Sequence, residues 1–260
     1  VISTYTSYRL IAQDIPKSIE RIASQPQVAR ESENYLSRIS EIKSIDEFMA
    51  DTRVFNYAMK AHGLEDMSYA KAFMRKVLTE GTDDDNAFAN QLADTRYRDF
   101  AEAFNFARHG ETATIFTSAQ QGTVDKYHRL TLEEEAGADN TGVRLALYFE
   151  RNAPELTSAY EILADNALAD VVRTALGLPS ELAATDIDKQ ADLINSRIDL
   201  EDFKDPEKLD KFLNRFTALW ELQNPSEGFA DSSLLLGSSS GFGITPELML
   251  SINNLKLGGR

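Results

Sequence analysis

Three features of this 260-residue chain predict an all-α fold. Apolar residues recur three and four positions apart through most of its length, which is helical period rather than strand alternation. Its thirteen Gly and seven Pro fall mostly between those segments, where they stop and start helices. Helix-start signals, a hydroxyl or carboxylate side chain just ahead of an apolar stretch, stand before several of them. The predicted architecture is a multihelical array of two sequence-related helical halves plus a Ser/Gly-linked C-terminal helix.

Taken in order, Pro16 and Pro26 sit where a first helical turn tolerates a missing amide hydrogen. They open helices carrying Ile19 and Ile22, then Val28, Tyr35, Leu36, Ile39 and Ile42. Ser44 and Glu47 form a capping box, hydroxyl and carboxylate each satisfying an amide that the first turn leaves unpaired. From there Phe48, Met49, Phe55, Ala58 and Met59 predict one helix of about five turns, ending at Gly63. A further helix with Met67, Ala70, Phe73, Met74, Val77 and Leu78 runs to Gly81. After the acidic turn Asp83 to Asp85 come Phe88, Leu92, Tyr97, Phe100 and Phe104, read as helical up to Gly110. Residues 111–122 are rich in β-branched residues without helical period and read as a connector or one short strand. Helices are then expected at 123–136, 142–152 before Pro154, 157–176 before Gly177, 186–199, and 206–222 behind the cap Asp205-Pro206.

This order contains a repeat. Displaced by 114 positions, residues 27–64 align with 141–178 without a gap, and nine of 38 pairs are identical, against roughly two expected by chance. The identities are Arg30/Arg144, Glu41/Glu155, Ser44/Ser158, Glu47/Glu161, Ala50/Ala164, Asp51/Asp165, Ala61/Ala175, Gly63/Gly177 and Leu64/Leu178. Apolar character persists at Tyr35/Phe149, Ile42/Leu156, Phe48/Ile162, Met49/Leu163, Val54/Leu168 and Ala58/Val172. The expected organisation is an N-terminal helical half at 1–112, a second half at 123–224, and a linker with a terminal helix at 225–260.

Composition narrows the function classes. With 42 acidic against 27 basic residues the net charge is −15, which repels nucleic-acid phosphates and anionic lipid. The absence of cysteine removes disulfides, thiolate metal sites and cysteine nucleophiles. No apolar run approaches a membrane span, and Val1 to Leu10 lacks the basic-then-apolar order of a secretory signal. The expected location is cytoplasmic or flagellum-associated.

The stretch Asp46-Glu-Phe-Met-Ala-Asp-Thr-Arg-Val-Phe-Asn-Tyr-Ala-Met-Lys-Ala-His-Gly-Leu-Glu-Asp-Met67, continued to Leu78, and Leu92-Ala-Asp-Thr-Arg-Tyr-Arg-Asp-Phe100, continued to Phe106, resemble an alphaproteobacterial family catalogued as domain of unknown function 1217. The opening Ser3-Thr-Tyr-Thr-Ser-Tyr-Arg-Leu10 and the segment Val28-Ala-Arg-Glu31 are similar to it as well. The resemblance implies a multihelical fold and frequent encoding beside flagellar genes. It supplies no catalytic motif.

The sharpest chemical candidate is Arg108-His109-Gly110-Glu111-Thr112, which resembles the signature of histidine phosphatases and phosphoglycerate mutases. That resemblance implies a phosphorylated His and an Arg holding the phosphoryl group. The motif should follow a strand, however, and here it follows a helical pattern. Only His62, His109 and His128 are present, so nothing downstream of His128 completes a His pair. A surface helix end is the expected role. His62 aligns with Leu176 of the repeat, marking a packed position before a helix stop. His128 lacks a recognisable carboxylate and nucleophile arrangement. Asp83 to Asp85 lacks the ligand spacing of a calcium loop and reads as a solvated turn. Glu133 to Glu135 reads as an exposed charge run without partners. Gly237-Ser-Ser-Ser-Gly-Phe-Gly243 lacks the Lys-Ser or Lys-Thr of a phosphate loop and reads as a linker. No catalytic, cofactor-binding or metal-ligating residue is expected.

Beyond Pro225, Thr245-Pro246-Glu247 opens a short helix with Leu248, Met249, Ile252 and Leu255 on one side. These four are the candidate partner-binding residues, to be covered either by the chain's own core or by another protein. The function expected is that of a non-enzymatic structural or interaction protein with a protein partner and no nucleic acid, an accessory factor of the flagellum. An acidic helical export chaperone and a phosphoryl-transfer enzyme at Arg108-His109-Gly110 are the alternatives.

Overall fold

In a computed structural model, residues 2–224 are described, and all regular structure among them is helical. A first helix precedes those that the sequence predicts: α1 (Thr4–Ala12), capped by the Ser3 hydroxyl. The chain continues through α2 (Ile15–Ala23), α3 (Pro26–Ile39), α4 (Ile45–Ala50) and α5 (Thr52–Ala61). Then follow α6 (Lys71–Glu80), α7 (Phe88–Gln91), α8 (Arg96–Ala103) and α9 (Phe106–His109). The remainder is α10 (Gln121–Asp139), α11 (Thr141–Asn152), α12 (Ala159–Ala164), α13 (Asn166–Leu176), α14 (Ile187–Arg197) and α15 (Pro206–Gln223).

Two expectations about element boundaries are corrected. The five-turn helix from Ser44 to Gly63 is two helices, broken at Asp51, whose backbone leaves the helical region and whose carboxylate accepts from the Val54 amide at 3.2 Å. The helix 157–176 is broken in the same way at Asp165, which accepts from the Ala167 and Leu168 amides at 2.8 and 3.1 Å. A buried apolar face runs through both breaks, so apolar spacing alone hides a cap in mid-segment. Second, of the two readings of residues 111–122 the connector holds and the strand does not: Gly110–Ile115 is a 3₁₀ helix followed by a turn that leads into α10. Its β-branched residues hydrogen-bond backbone locally and inward. Thr112 Oγ1 donates to the His109 carbonyl at 2.8 Å and Thr114 Oγ1 to the Ile42 carbonyl at 2.6 Å.

The chain divides into two compact units at positions other than the expected 112/123. One unit is Asp14–Glu135; the other joins the first thirteen residues to the chain from Ala136 onward. The boundary thus falls inside α10, a continuous helix with no break at which sequence could signal it, and α1 belongs with the second half.

In the unit Asp14–Glu135, Phe48 of α4 is fully buried, with the rings of Phe55, Phe100, Phe104 and Phe106 centred 4.8–6.2 Å away. Beside this cluster Tyr35, Tyr57 and Tyr127 form a stack, with successive centroids 4.4 and 4.0 Å apart. The other unit is built on α11, α13 and α15, with α1 packed on α15 and α11. Gly142 is what allows that packing: a Cβ there would lie 2.3 Å from the Trp220 ring and 2.8 Å from Thr4. Asn140 caps α11 through the Gly142 amide at 2.9 Å and donates to Thr4 Oγ1 at 2.9 Å. The Thr4 amide and hydroxyl both donate to Glu221 at the end of α15.

Candidate functional site

The phosphatase-like motif lies on the four-residue helix α9, capped by Asn105, whose Oδ1 accepts from the Arg108 amide at 3.0 Å. Gly110 ends it at φ +55°, a conformation that glycine adopts without strain. The Arg108 side chain is already engaged. Its Nε donates to Asp83 at 2.8 Å, a terminal nitrogen makes a second and shorter contact with the same carboxylate, and the other terminal nitrogen reaches Glu102 at 2.8 Å. The guanidinium holds the Asp83 carboxyl below the usual carboxylate range. Glu102 is lowered too, first by the hydroxyl of Thr82 and then by Arg108, and the two acids push the Arg108 pKa up. A phosphoryl group arriving at Arg108 would therefore have to compete with two carboxylates. The His109 ring packs 4.4 Å from that of Phe116. Motif and acidic turn form one structure: Asp83 is solvated, as expected, and is also the principal partner of Arg108.

His62 lies buried against Phe100 and Phe104, with ring centroids at 5.3 and 5.7 Å. Its Nδ1 carries the proton, because it contacts the Ala58 carbonyl at 3.0 Å and a carbonyl only accepts. Nε2 is buried without a partner. Burial, reinforced by the charge of Lys126, pushes its pKa down to about 3. The imidazole is thus neutral core, in keeping with Leu176 at the equivalent place.

His128 has a neighbour that sequence reasoning missed. Its Nε2 lies 2.9 Å from Ser32 Oγ, which lies 2.8 Å from the Tyr57 hydroxyl. The spacing of a nucleophile and a base is present, although 96 residues separate them and no local signal relates the two. Ser32 is buried in the middle of α3 and shares its hydroxyl with Tyr57. Burial lowers the His128 pKa against the opposing charge of Asp125, and raises that of Tyr57. The chain Tyr57–Ser32–His128 satisfies polar groups along the edge of the tyrosine stack, as buried hydroxyls require.

The run Glu133 to Glu135, expected to be exposed and unpartnered, is paired throughout. Glu133 is 1% exposed and meets Arg129 one turn earlier at 3.1 Å. Glu134 pairs with Lys60 at 2.8 Å, and Glu135 accepts from Gln25 at 2.8 Å. Three consecutive helical residues point in three directions, so one charge run serves three neighbours. Among the described residues no group of three or more His, Cys, Asp or Glu is placed to hold a metal ion. No helix among them is long and apolar enough to cross a membrane.

The family described as "Protein of unknown function (DUF1217)" matches residues 61–209, more than half of the chain. The chain belongs to this family. A crystal structure of an Agrobacterium tumefaciens protein, determined as a structural genomics target, is similar to it at 59% identity with a TM-score of 0.80. The similarity covers 85% of this chain and 94% of that one. None of the curated proteins matches. In this DUF1217 protein, Leu248, Met249, Ile252, Leu255 and the segment Gly237 to Gly243 lie outside the described residues.

One polar group had no sequence signal at all. Arg215 on α15 has no acidic partner among the described residues, and its Nε is buried and unbonded. Burial and the nearby charge of Arg197 lower its pKa.

Proposed function

We propose that this DUF1217 protein is a non-enzymatic helical protein that acts through its surfaces on a protein partner, as a structural or accessory factor of the flagellum. The observation that carries the non-enzymatic part is the double carboxylate clasp on Arg108, which commits the residue best suited to bind a phosphoryl group to holding the turn before α7 onto α9. His62 supports the same reading as uncharged core, and Ser32 with His128 as part of an internal polar chain. The flagellar part rests on what the resemblance of the sequence to the family implies, encoding beside flagellar genes.

The test combines two assays on the full chain. Purified protein is expected to show no phosphomonoester hydrolysis above background, and His109→Ala is expected to leave the circular dichroism spectrum unchanged. Affinity capture of tagged protein from its own cells, read by mass spectrometry, is expected to recover flagellar basal-body, hook or export components, equally for the wild type and His109→Ala. Hydrolysis abolished by His109→Ala would overturn the non-enzymatic reading. Capture of a partner set without flagellar components, with normal motility of a deletion strain, would overturn the flagellar one.

A further inference from the structure

Nine large apolar side chains are left exposed among the described residues, and four of them lie on or next to two helices that pack together. Ile2, Tyr5 and Leu10, at 59, 43 and 62% exposure, lie on or just before α1, and Leu222, at 57%, lies in the last turn of α15. These two helices pack together, and Glu221, the residue before Leu222, accepts from the amide and hydroxyl of Thr4. The start of α1 and the end of α15 therefore stand side by side. On α15, Leu222 shares a helical face with Arg215, seven residues earlier, whose Nε is buried without a hydrogen-bond partner. Apolar surface needing cover and a cation needing an anion thus meet in one region.

The described chain ends in the same place, three residues after Glu221. The remaining 36 residues, 225–260, include Leu248, Met249, Ile252 and Leu255 at one-faced helical spacing, and the acids Glu227, Asp231 and Glu247. The twenty residues 225–244 span up to about 70 Å when extended, ample to return the following segment to α1. Intramolecular docking starts at a high effective concentration because the tether is short.

We propose that the segment 246–257 docks on the solvent side of α1 and the adjoining face of α15, covering Ile2, Tyr5, Leu10 and Leu222, with a carboxylate from Glu227, Asp231 or Glu247 pairing with Arg215. The inference goes beyond the proposed function and does not depend on it.

The absence of cysteine makes a clean test possible in the full chain. Tyr5→Cys combined with Ile252→Cys, oxidised at low micromolar concentration, is expected to give a disulfide within one chain, seen as a faster-migrating monomer whose yield does not change on dilution. Independently, Leu248→Ser with Ile252→Ser is expected to speed amide hydrogen exchange in α1 by about tenfold. A disulfide that forms only between chains would assign the face to a second copy and overturn the proposal. Absence of a disulfide together with unchanged exchange in α1 would overturn it as well.

Discussion

The segments α3–α5 and α11–α13 are built to one plan from different interiors. In each, a long helix packs on the last helix of the block, which also receives the short helix between them. Ser44 and Ser158 cap the short helices through the Glu47 and Glu161 amides at 3.2 and 3.4 Å. The two Glu carboxylates reach back to the Lys43 and Thr157 amides at 2.7 and 2.9 Å. Asp51 and Asp165 then break the chain, each also tied to the long helix before it, Asp51 by Arg38 and Asp165 by the Tyr148 hydroxyl, both at 2.6 Å. Gly63 and Gly177 close the blocks at φ +69° and +63°, and the following leucine amides reach back five residues, to Met59 and Arg173, at 2.8 Å. The interiors differ: Phe48, Phe55, Tyr57 and His62 are buried where Ile162, Ala169, Val171 and Leu176 are buried in the second block. Punctuation is held in common, and volume is redistributed over each unit's other helices. A backbone plan survives large changes of side-chain size when neighbouring elements refill the space.

Core truncation should separate the two interiors by the largest margin. Phe48→Ala is expected to cost about 3–5 kcal/mol and Ile162→Ala about 2–5 kcal/mol, toward the lower end, measured by urea unfolding of the full chain. Equal losses would mean that the aromatic cluster around Phe48 adds nothing beyond aliphatic packing.

His62→Leu installs the residue that the second block uses. Because the folded pKa of His62 is pushed down to about 3, the unfolded chain takes up a proton on that residue as pH falls below about 6.5 while the folded chain does not. Stability is therefore lost from pH 6.5 downward until the folded pKa is reached. The substitution should remove a loss of about 2 kcal/mol at pH 5 and have a smaller effect at pH 8, read from unfolding midpoints across that range. An unchanged pH profile would place a charged or solvated imidazole at this position.

Smaller effects test the shared punctuation. Asp51→Ala and Asp165→Ala should each destabilise by about 1 kcal/mol through a lost cap. Gly63→Ala and Gly177→Ala should each cost about 1 kcal/mol through a left-handed conformation that alanine resists. Thermal unfolding of matched pairs checks all four. A pair whose members differ by more than twofold would break the equivalence at that point.

Much of this was legible in sequence because helix caps and stops are chemical signals of short range. Ser44, Gly63, Asp205 and the two early prolines each predicted a boundary that the structure has. The breaks at Asp51 and Asp165 were present among the nine identities, yet unbroken apolar spacing masked them. The helix α1 was missed although five of its nine residues are apolar, because Tyr5 and Leu10 face solvent and blur the buried stripe. The candidate site was less legible, since its content lies in long-range pairs. The engagement of Arg108 with Asp83, of Ser32 with His128 and of Glu134 with Lys60 joins residues 25, 96 and 74 positions apart, and no periodicity carries such information.

The claim that one punctuated block builds both halves is tested most directly by backbone chemical shifts of Asp51, Gly63, Asp165 and Gly177 in the full chain. The account predicts non-helical shifts at both aspartates, within otherwise helical segments, and left-handed shifts at both glycines. Helical shifts running without interruption through Asp165, or an extended Gly177 opposite a left-handed Gly63, would contradict it.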